Sequence, residues 1–313
     1  MNKFKLGSLY SGVEGIGLGF EQAGTETIWA NEMDASACKT IRANFNHKVY
    51  ECKVENLEPN SLEKIDILTA GFPCQGFSIA GYQKGFEDER GHHFFEVIRL
   101  AKTIKPKVIF LENVKNLKSH DKGKTFQIIC DTLNSIGYNF KYDILNTCDY
   151  GNVPQNRERI YVVCFRSDLD INKFNFPSKI PSTVTFESLL EKNVDEKFYY
   201  REDKYNYKQL VDTMVKIDTV YQWRRVYARE NKKGLCPTLT ANMGTGGHNV
   251  PLILTKEGIR KFTPRECFNL QGFPIDFILP DKMSNAQLYK QSGNSVSVPV
   301  INRIAKNILT AIS

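Results

Sequence analysis

Ile65-Asp66-Ile67-Leu68-Thr69-Ala70-Gly71-Phe72-Pro73-Cys74-Gln75-Gly76 decides how the rest of the chain is read. The apolar run to Ala70 predicts a buried strand. Gly71 and Pro73 end it and leave a thiol at its carboxyl edge. In open α/β sheets, ligands bind at that edge. A single cysteine is more often a small buried hydrophobe than a nucleophile, so the reading of Cys74 depends on its neighbours in the fold.

Working outward, residues 4–165 alternate short apolar segments with helix-like ones. Strands are expected at Phe4–Tyr10, Thr27–Asn31, His47–Glu51, Ile65–Ala70, Lys107–Leu111, Phe140–Asn146 and Ile160–Phe165. Helices are expected at Gly15–Ala23, Ala35–Phe45, Phe94–Ile104 and Thr125–Ile136, with Asp34 as an N-cap and Pro106 as a stop. This alternation predicts an α/β fold with a mostly parallel, doubly wound sheet.

Near residue 170 the pattern changes. Pro177 and Pro181 flank a linker-like stretch, and residues 183–260 are richer in charge, Tyr and Asn. Regular structure resumes at Thr263-Pro264, an N-cap followed by proline at the first helical position. Pro299–Ile312 reads as an amphipathic helix. Two domains are expected: a larger one from residues 1–178 and 263–313, and a smaller, irregular β-containing one from 179–262.

The 313 residues are 41% hydrophobic and 25% charged, enough for a real core. No apolar run has the length of a membrane span, and Met1-Asn2-Lys3-Phe4-Lys5 lacks a signal peptide's apolar stretch, so a cytoplasmic protein is expected. The eight cysteines are scattered without a C-x-x-C pair, which argues against zinc and for a reducing compartment. No metal is expected. Of the net charge of +7, residues 201–233 supply +4, nine Lys or Arg against five Asp or Glu. Arg224, Arg225, Arg229, Lys232 and Lys233 alternate there with Tyr221, Trp223 and Tyr227. Such a block suits phosphate contact, although a solvated charged face has the same composition.

Three further stretches carry chemistry. Tyr10-Ser11-Gly12-Val13-Glu14-Gly15-Ile16-Gly17 joins the first strand to the first helix, where glycines admit close backbone approach and a helix N-terminus faces an anion. Glu32, about 20 residues on, sits where an acid accepts hydrogen bonds from ribose hydroxyls. Glu112-Asn113-Val114 ends an apolar strand, and a carboxylate there is costly unless paired or functional. Burial would raise its pKa and suit it to proton donation. Gln155-Asn156-Arg157-Glu158-Arg159 fits either a surface ion-pair cluster or a set of donors to a ring carbonyl.

Taken in order, Gly12…Gly15, Pro73-Cys74-Gln75, Glu112-Asn113-Val114, Gln155-x-Arg157-x-Arg159, Arg265-Glu266…Leu270-Gln271-Gly272-Phe273-Pro274 and Gln291-x-Gly293-Asn294-Ser295-Val296 resemble the ordered motifs of the DNA (cytosine-5) methyltransferases, including those of bacterial restriction-modification systems. The resemblance spans nearly the whole chain. It implies a sheet of the S-adenosylmethionine-dependent methyltransferase type plus a target-recognition domain. It also implies methyl transfer from S-adenosylmethionine to carbon 5 of cytosine in a specific short duplex DNA sequence.

By the same resemblance, Cys74 looks like the nucleophile that adds to carbon 6 of a flipped-out base. Glu112 looks like the group that protonates ring nitrogen 3, and Arg159 like the donor to the 2-carbonyl, with Arg157 bracing nearby. Tyr10, Gly12, Val13, Gly15, Glu32, Met33, Pro73, Asn294 and Ser295 look like cofactor contacts. Residues 75–92 resemble a loop that closes over DNA. The implied DNA contacts are Gln75, Ser78, Arg90, Arg224, Arg225, Thr238, Leu239, Gly246 and Gly247. The implied partner is duplex DNA, with a cognate endonuclease in the same system but no stable complex, and a monomeric state.

Three positions depart from the family pattern. Glu14 replaces a loop glycine, Lys53 replaces an Asp that contacts adenine, and His92-His93 replaces a Thr-Leu-like pair. Two rival readings are a relative acting on tRNA cytosine and a non-catalytic DNA-binding protein. The first carries a Cys-Phe-Thr signature that neither Cys164-Phe165-Arg166 nor Cys267-Phe268-Asn269 matches. Retention of Cys74, Glu112, Arg157 and Arg159 argues against the second.

Overall fold

The computed structural model describes residues 3–73, 92–204, 206–224, 227–231, 234–243, 245 and 250–313. The chain divides into two compact units, Met1–Leu145 with Glu158–Ser178 and Val300–Ser313, and Asn146–Arg157 with Lys179–Pro299. Residues 263–299, expected in the larger domain, cluster with the second unit. The buried Arg260–Glu266 ion pair at 2.7 Å is one reason.

In chain order the strands are β1 (Lys5–Leu9), β2 (Glu26–Glu32), β3 (Lys48–Glu51), β4 (Ile67–Ala70), β5 (Val108–Val114), β6 (Tyr138–Asn146), β7 (Gln155–Asn156) and β8 (Glu158–Arg166), then β9 (Val220–Trp223), β10 (Ala228–Asn231), β11 (Cys236–Pro237), β12 (Leu252–Thr255) and β13 (Gly258–Lys261). Seven of those described form one sheet in the order β3-β2-β1-β4-β5-β8-β6. Pairings among β1 to β5 are parallel, and β8 joins β5 antiparallel. The expected α/β, mostly parallel architecture is therefore the observed one.

Helices pack on the sheet, so its central strands are mostly apolar and buried. All four residues of β4 are buried. Asp34 caps the Ala35–Asn44 helix, accepting from the Ser36 and Ala37 amides. The helix His92–Ile104 ends two residues before Pro106. Asn302 on the last helix donates to the Gly19 carbonyl at 3.2 Å, tying the C-terminus to the first helix.

The chain winds outward from β1 through β2 to β3, then returns to place β4 on the other side of β1. This is a topological switch point, and the crevice beyond the carboxyl ends of β1 and β4 is where ligands of such sheets bind. The loops that open there are Tyr10–Glu14 and Gly71–Pro73.

The second unit holds the antiparallel sheet β10-β9-β12-β13 and the small parallel pair β11-β7. Val220 belongs to one buried cluster with Leu239, Phe262 and Tyr289. Tyr221, Trp223 and Ala228 belong to another with Leu210 and Leu252. Thr263 and Glu266 close a capping box on the helix Pro264–Asn269.

Candidate active site

β1 and β4 run parallel in register, with Leu9 beside Ala70, and Ala70 in turn lies beside Leu111 of β5. The residues that follow therefore emerge together. Gly71 faces Glu112: a Cβ added at Gly71 would lie 3.6 Å from Glu112 Oε2. Asn113 Nδ2 donates to the Phe72 carbonyl at 2.9 Å, fixing the segment that leads to Cys74. Cys74 itself, with Gln75, Ser78 and Arg90 and most of the expected 75–92 loop, lies outside the described residues.

Glu112 is 8% exposed, and Arg159 Nε stands 3.1 Å from its Oε1. A buried carboxylate is tolerable when paired in this way. The two residues, expected separately as groups addressing a ring, are brought together by the β5–β8 ladder. Arg159 also donates through Nη1 to the Glu158 carbonyl at 2.9 Å, which orients the guanidinium.

Arg157 belongs to the second unit and is 2% exposed. Its Nη1 donates to the Leu239 carbonyl at 2.9 Å, and its Nη2 to the carbonyls of Gly293, at 3.3 Å, and Ser295. The guanidinium thus knits two loops, a bracing part rather than a ring-facing one. Leu239 is 1% exposed and packed in the core, so its side chain offers no surface to a duplex, contrary to the expected contact. Thr238 donates from its hydroxyl to the Asn156 carbonyl at 2.6 Å. Arg224 is exposed, and its amide closes the β9–β10 turn on the Tyr227 carbonyl at 2.8 Å. Arg225, Gly246 and Gly247 lie outside the described residues.

The loop after β1 is built around Glu32. One carboxylate oxygen accepts from the Gly12 amide at 2.8 Å, and the other from the Met33 and Asp34 amides, each at 2.8 Å. Three amides fix an acceptor that keeps a lone pair for a further donor. Gly12 has φ of +58°, and nothing lies within 4 Å of where its Cβ would be. Met33 is 67% exposed beside this carboxylate. An ordered acid, an open glycine and an exposed apolar side chain fit an adenosyl group with its ribose diol. Tyr10 stacks edge-on against His93 with ring centroids 5.4 Å apart, and Val13 and Gly15 are buried at the helix start. Pro73 is exposed at the end of the described Gly71–Pro73 segment. In the second unit Asn294 is exposed, while Ser295 Oγ is buried without a hydrogen bond among the described residues.

Glu14 is fully buried at φ 65°, in the left-handed region where glycine is usual. Its Oε1 occupies the space a Cβ on Gly17 would need, so one unusual residue requires the other. Burial, only partly offset by Ser8, raises its pKa to about 8. Lys53 is exposed at the start of a short 3-10 turn.

The seven described cysteines are free. Burial pushes every one of their thiols upward, Cys38 to about 12 and Cys130 and Cys148 to about 11. None of these seven is a thiolate at neutral pH. Sequence reading passed over Asn113 and Gly71 as site residues; the only signal was their place beside Glu112 and before Pro73.

These features define an α/β protein with an ordered acid and an open glycine at its switch point and a buried acid–guanidinium pair across β5 and β8. The C-5 cytosine-specific DNA methylase family matches residues 4–310, and the chain belongs to that family, a DNA (cytosine-5) methyltransferase. It is 56% identical over 309 residues to the type II methyltransferase M.Bsp6I of Bacillus sp. (strain RFL6), covering 97% of this chain and 98% of that protein. It is 38% identical over 314 residues to M.HhaI of Haemophilus parahaemolyticus, covering 96% and 92%. In fold it is similar to Spodoptera frugiperda DNMT2, with a TM-score of 0.77 at 21% identity over 98% of this chain and 100% of that one. Entamoeba histolytica EhMeth gives 0.76 at 22% over the full length of both. Among the described residues no helix is long and apolar enough to cross a membrane.

Proposed function

We propose that this chain methylates carbon 5 of one cytosine within a specific short duplex DNA sequence, using S-adenosylmethionine and a transient bond from Cys74 to carbon 6 of a flipped-out base. The observation that carries this reading is the buried pairing of Glu112, on the strand beside the one that leads to Cys74, with Arg159 of the next strand.

Carbon 5 of cytosine is a weak nucleophile. A thiolate adding at carbon 6 breaks the 5,6 double bond and makes carbon 5 electron-rich. Glu112 supports that addition by delivering a proton to nitrogen 3, and Arg159 by donating to the 2-carbonyl oxygen. Return of the nitrogen-3 proton to Glu112, loss of the carbon-5 proton to a base and departure of the Cys74 sulfur as thiolate restore the aromatic ring. A free thiol is only roughly 3% ionised at pH 7, so the site must favour the thiolate. Cys74 takes the part of the nucleophile by its place in the Pro73-Cys74-Gln75 motif. S-adenosylmethionine, when bound, supplies an electrophilic methyl group. Glu32 would accept its ribose hydroxyls, Met33 would cover the adenine, and Gly12 would leave room for close approach. Tyr10, Val13, Gly15, Pro73, Asn294 and Ser295 complete the set by resemblance.

Eversion of the base costs a few kcal/mol of stacking and pairing. By this reading catalysis falls to residues 1–178 and 263–313, and target recognition to residues 179–262. Arg224, Arg225, Thr238, Gly246, Gly247, Gln75, Ser78 and Arg90 are the proposed DNA contacts, with Arg157 and Leu239 in positioning parts. The biological reading is a monomeric, cytoplasmic modification enzyme that protects host DNA beside a separate endonuclease.

Transfer of a labelled methyl group to duplex DNA and to tRNA, followed by bisulfite sequencing, tests the reading. Label should enter one cytosine of a recurring duplex sequence. Label in tRNA alone would overturn it.

A further inference from the structure

The helix His92–Ile104 carries Glu96 and Arg99 three residues apart on one face, with Glu96 buried. Arg99 Nε donates to Glu96 Oε2 at 2.7 Å, which leaves its other two nitrogens for the turn Val54–Asn56. Nη2 donates to the Val54 carbonyl and Nη1 to the Leu57 carbonyl, each at 3.1 Å. The Val54 carbonyl also accepts from the Leu57 amide at 3.0 Å, so both its lone pairs are filled. Val54 and Leu57 share one buried cluster with Phe94 and Val97 of the same helix. The side chains thus seat the turn, and the guanidinium fixes its backbone. Upstream of the turn, Asn31 Nδ2 donates to the Tyr50 and Cys52 carbonyls at 3.0 and 2.9 Å. Residues 52–57 are therefore pinned at both ends.

That segment borders the crevice. Glu51 lies beside Glu32 in the β2–β3 ladder, so Cys52-Lys53-Val54 leaves the sheet next to Glu32 and Met33. Tyr10 leaves β1 at the same edge, on the other side of β2. Its hydroxyl donates to the His93 carbonyl at 3.1 Å, in the first turn of the helix that carries Arg99. Burial, reinforced by Glu55 and Glu96 and opposed by Arg99, pushes the ionisation of the Tyr10 hydroxyl upward, so these side chains lie close to it. One helix therefore fixes two walls, the Tyr10 ring and the backbone of residues 52–57, after the strands on either side of β2. A flat base with a polar rim binds where an apolar ring and a few backbone groups stand at a set separation.

We propose that Arg99 is a positioning residue for the adenine end of the cofactor: by holding the Val54 and Leu57 carbonyls it sets the separation between the Tyr10 ring and the backbone of residues 52–54. The proposal rests on the reading that this crevice receives S-adenosylmethionine.

The test uses the full-length protein and calorimetry with two probes. S-adenosylhomocysteine is the whole product, and methylthioadenosine keeps the base and ribose but lacks the amino-acid end. Arg99→Ala should weaken both by the same factor, roughly 3- to 30-fold, the range for a residue that acts through another. The number of binding sites per chain should match the wild type, and KM for S-adenosylmethionine should rise while kcat holds. Glu96→Gln still offers an oxygen to Arg99 Nε and should retain most of the wild-type affinity. Fewer sites with unchanged affinity in Arg99→Ala would mean a purely structural tie and overturn the proposal. Weaker binding of S-adenosylhomocysteine with methylthioadenosine bound as in the wild type would place the effect at the amino-acid end and overturn it too. If the wild type binds neither probe, the reading of the crevice itself fails, and the proposal with it.

Discussion

Arg159 Nε and Glu112 Oε1 lie 3.1 Å apart as diagonal neighbours on one face of the β5–β8 ladder, where Val114 opposes Arg159 and Tyr161 opposes Glu112. Diagonal pairs in antiparallel strands lie within reach of long side chains. The register therefore sets the pair, and each partner makes the other's burial tolerable. Glu112→Gln keeps the shape but cannot deliver a proton. Methyl transfer should fall by about 10²- to 10⁴-fold with cofactor binding by calorimetry unchanged. Arg159→Ala takes the guanidinium away from the buried acid and should also lower the melting temperature. Unchanged turnover in Glu112→Gln would contradict the proton-donor role.

Arg157 depends on a close approach that glycine permits. An added Cβ at Gly293 would lie 2.2 Å from the Thr240 carbonyl group, so only glycine lets these backbones meet. Arg157 bridges the same two segments through Leu239, Gly293 and Ser295 carbonyls. Arg157→Lys cannot span three acceptors with one ammonium and strands buried carbonyls at about 1–3 kcal/mol each. Both Arg157→Lys and Gly293→Ala should shift the denaturant midpoint down. A midpoint equal to wild type for either would refute the bracing role.

Glu14 makes stability depend on pH. Burial raises its folded pKa to about 8 from an ordinary 4.5, against partial relief from Ser8 and Ser11 and further upward pressure from Glu21 and Glu32. Between those values the folded state holds a proton that the unfolded chain releases. Its contribution is therefore complete below about pH 4.5, declines as pH rises, and is lost above about 8. Thermal unfolding followed from pH 5 to 9 should show a steeper decline for the wild type than for Glu14→Gln. Parallel curves would show that Glu14 does not titrate in this window.

The sheet was legible because its strands are short, mostly apolar and separated by helix-like segments. Ile67–Ala70 and Lys48–Glu51 fall inside the expected strands. Expectation stopped β5 at Leu111, because a carboxylate reads as a strand end, yet Glu112 is within it and pairs with β8. Only the ladder register distinguishes Arg159, set on Glu112, from Arg157, spent on carbonyls, since both flank Glu158 alike in sequence. The second unit was harder to read. β9 has Val220 in one core and Tyr221 and Trp223 in another, so four residues buried on both faces show no alternation. The charge-rich composition around it then resembles a loop. The Thr238-Leu239 pair was legible as a motif, but burial, which sequence does not reveal, removes Leu239 from any surface.

The most direct test of the central claim is covalent trapping. Duplex DNA bearing 5-fluorocytosine at the target position blocks loss of the carbon-5 substituent, so an enzyme that bonds through sulfur stays attached. Incubated with S-adenosylmethionine, the wild type should form a complex that survives denaturing electrophoresis, with Cys74 carrying the nucleotide in mass spectrometry and Cys74→Ala forming none. A stable adduct on another residue, or equal trapping by Cys74→Ala, would contradict the account.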